Sequence, residues 1–68
     1  MNEDLTFLSE YCADDGSNRS AIIGRDQHGF VVELYEGNEL KETRCVYNHS
    51  EAYAEDVAEN WCQGMIQL

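Results

Sequence analysis

The chain has no proline, only four lysine and arginine residues and three cysteines among its 68 residues. Each scarcity excludes something. Without proline, internal repeats or low-complexity segments, and with 43% hydrophobic residues, the composition is that of a folded domain and not of a disordered tail. Four basic residues against 14 acidic ones leave a net charge of −10. That balance opposes binding to a phosphate backbone, which needs Lys and Arg to displace counterions. It equally opposes an anionic membrane surface. Cys12, Cys45 and Cys62 are far apart, odd in number and form no C-x-x-C, so a zinc knuckle is not expected. They read as reduced thiols acting as small buried hydrophobes in a cytoplasmic protein. No apolar run exceeds three residues, where a bilayer span needs about 20. The start, Met1-Asn2-Glu3-Asp4, is acidic, unlike a secretory or transit peptide.

A chain this short forms one domain, 1–68, and buries only about 60% of the surface its unfolded form exposes. Residues 2–12 fit two readings. Leu5, Leu8, Tyr11 and Cys12 share a helical face, with Asn2 as cap. The alternation Leu5, Phe7, Ser9, Tyr11 and the β-forming Thr, Phe and Tyr suit a strand. Helix is slightly favoured. Asp14-Asp15-Gly16-Ser17-Asn18 is a loop. Ala21-Ile22-Ile23 is a short strand, followed by a polar loop from Gly24 to Gly29. Residues 30–36 form the clearest strand. Gly37-Asn38 turns the chain, and residues 39–47 return as the next strand.

An uninterrupted hairpin across that turn pairs Tyr35 with Leu40, Leu34 with Lys41, Val32 with Thr43 and Phe30 with Cys45. Phe30, Val32, Leu34, Thr43, Cys45 and Tyr47 then share the core face. Val31, Glu33, Glu42 and Arg44 lie on a solvated face, with Glu33 opposite Glu42, a like-charge pair. Asn48-x-x-Glu51 reads as a capping box with Ser50 as a rival cap. Ala54, Val57, Ala58, Trp61, Cys62 and Met65 make one apolar helical stripe. Gly64 ends it, with Met65 or Ile66 folding back. The expected fold is α+β: a three-stranded antiparallel meander carrying a C-terminal helix on one face, the N-terminal segment adding a helix or an edge strand.

The sequence carries none of the phosphate-loop, zincin or nucleophile-elbow motifs. Cys45 and His49 are four residues apart, but a thiol pointing inward in a strongly negative chain is no nucleophile. Asp14, Asp15 and Asn18 lack the ligand spacing of a calcium loop. No enzyme activity, cofactor or metal is expected. The strongest functional pattern is acidic. Glu51, Glu55 and Glu59 stand about 6 Å apart along one helix flank, with Asp56 beside them, and no Lys or Arg follows Asn48. Glu33 and Glu42, with Glu36 and Glu39, add charge around the hairpin. Such carboxylates are the solvated face of an amphipathic helix, or they imitate phosphates for an arginine-bearing partner. Tyr11, Tyr35, Leu40 and Tyr53 are candidate anchors.

Phe30-Val31-Val32-Glu33-Leu34-Tyr35-Glu36-Gly37-Asn38, followed by Ser50-Glu51-Ala52-Tyr53-Ala54-Glu55-Asp56-Val57-Ala58-Glu59-Asn60-Trp61, resembles small proteins of tailed, notably marine, bacteriophages. The resemblance spans roughly residues 20–66 and transfers no activity. In outline the hairpin-plus-helix plan is also similar to some small anti-CRISPR proteins. The anti-CRISPR likeness is one of topology only; the unpaired acidic row, taken with the phage likeness, leads to the expectation of a phage-encoded inhibitor in the host cytoplasm, of anti-CRISPR or DNA-mimic type. Its expected partner is the basic surface of a nucleic-acid-handling host protein, with Glu51, Glu55, Asp56, Glu59, Glu33 and Glu42 as contacts. The rival expectation is a homo-oligomeric structural or virion accessory subunit.

Overall fold

A computed structural model describes residues 5–13 and 18–66. It contains four strands and one helix in the order β1 (Thr6–Cys12), β2 (Arg19–Asp26), β3 (Gly29–Glu36), β4 (Glu39–Val46) and α1 (Glu51–Cys62). The strands form one antiparallel meander, β1-β2-β3-β4. The α+β class with a C-terminal helix on the sheet is as expected, but the sheet has four strands, not three. The N-terminal segment is an edge strand. Strand wins over helix because β2 is interior: Ala21 and Ile23 are fully buried, and β1 satisfies the backbone groups on the side of β2 away from β3. The proposed cap Asn2, and Asp14 and Asp15, lie outside the described residues.

The polar stretch from Gly24 to Gly29 is mostly strand. β2 runs to Asp26 and β3 starts at Gly29, leaving Gln27 and His28 as the turn. At the next hairpin Gly37 takes φ 65° while Asn38 does not enter positive φ. That is the φ pattern of a II′ turn, which needs glycine first. Tyr35 pairs with Leu40 as expected, but a bulge then skips Lys41. Leu34 faces Glu42, Glu33 faces Thr43, Val32 faces Arg44, Val31 faces Cys45 and Phe30 faces Val46.

One extra residue turns every later side chain of β4 over. Thr43, Cys45 and Tyr47, expected inside, are exposed, and Val46 is buried instead. The bulged register covers a β-branched apolar side chain and frees the Tyr47 hydroxyl to reach a carboxylate. It also separates Glu33 from Glu42, which now lie on opposite faces of the sheet. A second bulge, at Leu8, interrupts β1 between Phe7 and Ser9.

The core joins Ala21, Ile23, Val32, Leu34 and Val46 to Ala54, Val57, Ala58, Trp61 and Cys62, with Tyr11, Phe30 and Ile66 packed on its margin. Burying such side chains contributes about 1.5–3 kcal/mol each for the larger ones. Ser50, not Asn48, caps α1: its backbone is extended and its Oγ accepts the Tyr53 N–H at 3.3 Å. Glu51 is therefore the first helical residue, beside the positive end of the helix dipole. At the other end Gly64 has φ 82°. The Gly64 N–H donates to Trp61 O at 3.1 Å and the Met65 N–H to Asn60 O at 2.9 Å, a Schellman closure. Ile66 folds back onto the core, whereas Met65 is exposed.

Candidate functional site

The buried stripe of α1 fixes the helix's rotation, and that rotation aims its charges. Glu51, Glu55 and Glu59 lie along the flank that borders β1. Tyr11 reports this placement. Its ring packs on the core margin, its carbonyl accepts from Cys62 Sγ at 3.5 Å, and its phenol is held above its ordinary value by burial, then by Glu55, Glu59 and Glu51. Asp56 is on the outer side of the helix, exposed.

The four basic side chains are all engaged away from this row. Arg19 stacks over the Trp61 ring with Cζ 4.0 Å from its centroid. Its Nη1 donates to Trp61 O at 3.2 Å and Ile66 O at 3.0 Å, compensating the negative end of the helix. Arg25 lies 5.5 Å from the Phe30 ring centroid. Lys41 pairs with Glu39 at 3.5 Å and Arg44 with Glu42 at 3.3 Å. Among the described residues no ion pair engages Glu51, Glu55 or Glu59.

The six acidic positions singled out in the sequence therefore do not form one surface. Glu51, Glu55 and Glu59 stand together, with Asp56 around the helix from them. Glu42 is neutralised by Arg44 on the helix side of β4. Glu33 is on the opposite face, where it accepts from the Tyr35 hydroxyl at 3.3 Å and, after burial, helps to raise that phenol's pKa.

Cys62 is buried, but Cys12 and Cys45 are exposed free thiols, contrary to the expectation of three buried ones. Both lie on the sheet face away from α1, because their register partners Ser20 and Val31 alternate with the core residues. At one end of that face the Tyr47 hydroxyl donates to Asp26 Oδ2 at 2.9 Å. Asp26 Oδ1 accepts the backbone N–H groups of His28 and Gly29. These bonds, the His28 one foremost, hold the Asp26 carboxyl below its ordinary range. Hydrogen bonding to Cys45 and then Asp26 pushes the Tyr47 phenol up. The group staples the β2–β3 turn to the end of β4.

Sequence reasoning did not single out the edge of β1. Leu5, Phe7 and Leu8 are all exposed, Phe7 by 60%. Leu5 lies over Gly24, where a Cβ would come within 2.9 Å of its side chain. The signal was present in Thr6–Cys12, a run of β-formers with one charged residue, Glu10. The helix-like spacing of Leu5, Leu8, Tyr11 and Cys12 competed with it. Comparison with protein-family models, curated proteins and solved structures finds no match for this chain.

Proposed function

We propose that this chain is a non-enzymatic, acidic protein-binding module, phage-encoded and acting in the host cytoplasm. It occupies the basic surface with which a host protein handles nucleic acid, as an anti-CRISPR or another DNA-mimic inhibitor does. One observation carries the reading. Three helical carboxylates stand in line on one helical flank while all four cations of the chain are engaged elsewhere. Unpaired carboxylates forgo the usual helix pairing energy and remain available for charge-assisted bonds to arginine. The contact set is Glu51, Glu55 and Glu59, extended by Asp56.

The test is affinity capture from bacterial lysate at low and high salt, with the Glu55→Lys/Glu59→Lys protein in parallel. A captured nucleic-acid-binding protein, released by salt or competing DNA and absent with the double variant, supports the reading. Equal capture by the double variant, with unchanged circular dichroism, ends it. The exposed apolar residues of β1 favour a second reading, a homo-oligomeric accessory subunit, because an uncovered edge strand invites pairing. That reading expects a light-scattering mass above that of the monomer and insensitive to salt.

A further inference from the structure

The outer side of β1 has hydrogen-bonding groups to offer. Ala13 N–H donates to Arg19 O at 2.9 Å, which makes Ala13 and Arg19 a hydrogen-bonded pair of the β1–β2 ladder. In an antiparallel ladder such pairs alternate. With Tyr11 opposite Ala21 and Cys12 opposite Ser20, Tyr11 points its backbone groups at β2. Glu10 and Cys12 point theirs outward, and among the described residues β2 is the only strand paired with β1.

Side chains around this edge differ between its two faces. Toward α1 stand Ser9 and Tyr11, with the carboxylate row of Glu51, Glu55 and Glu59 beside them. Away from α1 stand Phe7, Glu10 and Cys12, continuous with Ile22. We infer that the outer edge of β1 takes up a fifth strand, an extended partner segment alternating basic and apolar residues. Its backbone pairs with Glu10 and Cys12, and its basic side chains lie beside Glu51, Glu55 and Glu59. This deepens the acidic-module reading, on which it rests, by giving the partner a conformation and a residue period. Main-chain bonds supply the affinity of such strand addition, and alternate side chains supply its specificity.

Charge selects this occupant over a second copy of the chain. Antiparallel pairing of two β1 strands about a two-fold axis makes one continuous sheet with both helices on the same face. The two carboxylate rows would then face each other across the seam, in a protein that carries −10 per copy. A basic strand relieves the same field that a second copy doubles.

The experiment uses the isotope-labelled full chain and three acetylated, amidated eight-residue peptides. The first alternates lysine and valine. The second has the same sequence with every second backbone nitrogen methylated, which keeps the charge and blocks the ladder. The third alternates glutamate and valine. The lysine peptide is expected to slow amide exchange at Glu10 and Cys12 by about tenfold or more. The methylated peptide should bind at least about tenfold more weakly, the loss of one or two backbone bonds, and the glutamate peptide not at all. Glu55→Gln/Glu59→Gln should weaken the lysine peptide and flatten its salt dependence.

Equal binding of the methylated and unmethylated peptides, with shifts confined to α1 and unchanged exchange at Glu10 and Cys12, overturns the strand inference and leaves the acidic-surface reading standing. Strand pairing that is indifferent to Glu55→Gln/Glu59→Gln and to salt overturns the charge argument and the acidic-surface reading with it. Protection of Glu10 and Cys12 without peptide, rising with protein concentration as the scattering mass doubles, replaces the partner strand with a second copy.

Discussion

β4 and β1 are the two edges of the same sheet, and their sequences treat exposure differently. β4 carries Glu39, Lys41, Glu42 and Arg44 within eight residues, closes two ion pairs among them, and is bent by a bulge at Lys41. Charges and bulges are the ordinary means of keeping an edge strand from pairing with another chain. β1 has a bulge at Leu8 but a single charge, Glu10, and leaves Phe7 and Leu8 exposed, with Leu5 exposed just before it. The contrast is that one edge of the sheet is guarded by charges while the other leaves apolar side chains exposed, with the acidic flank of α1 above it.

The most drastic way to break the comparison is to remove the side chain that anchors α1 on the sheet. Trp61 is 1% exposed, donates from Nε1 to Tyr35 O at 2.9 Å and supports Arg19 on its ring face. Trp61→Ala is expected to cost about 3–5 kcal/mol. A domain of this length has about 3–10 kcal/mol in total. The variant should therefore be largely unfolded, or melt far below the parent, in a urea titration followed by circular dichroism. A loss under about 1 kcal/mol would mean that the sheet stands without its helix, against the marginal stability of so small a core.

The next effect separates the edges directly. Val46 closes the core at the end of β4 and is 8% exposed, whereas Phe7 on β1 is 60% exposed. Val46→Ala should cost about 2 kcal/mol. Phe7→Ala removes a larger side chain yet should stay within about 0.5 kcal/mol, as surface changes do. Equal costs in denaturant titrations would show that Phe7 is covered in solution, by the chain itself or by another copy.

The same residues explain what was legible in the sequence. The stripe Ala54, Val57, Ala58, Trp61 and Cys62 repeats over more than two helical turns, so the helix, its buried face and its carboxylate flank follow from periodicity alone. The β3–β4 turn was legible from Gly37. The register beyond it was not, because hydrophobic alternation in Glu39–Val46 is weak and nothing local announces that Lys41 is the extra residue. One missed bulge inverted Thr43, Cys45 and Val46 and set Glu33 against Glu42, so the errors along β4 have a single cause. β1 was ambiguous because its strand form is decided by β2 needing a neighbour, a requirement that a local reading of residues 2–12 does not contain. Ser50 and Asn48 were both competent caps, and tertiary placement chose between them.

The smallest expected effect tests whether the acidic flank really overlooks β1. The Tyr11 phenol is raised above 10.0 first by burial and then by Glu55, Glu59 and Glu51. Tyr35 is raised by burial and by Glu33, from the opposite face. A raised phenol pKa contributes stability that is complete below pH 10.0, the unfolded value, and is lost as pH rises through the folded one. Glu55→Gln/Glu59→Gln should move the Tyr11 titration down without returning it to 10.0, since burial, the larger cause, remains. Tyr35 should stay where it is, and Glu33→Gln should produce the reverse pattern. Ring-carbon chemical shifts of the two tyrosines, followed against pH, resolve the pair. If Tyr11 does not respond to the loss of both helical carboxylates, the row does not lie over β1. A strand added at that edge would then have no charge to meet, and the two edges would differ only in how much apolar surface they expose.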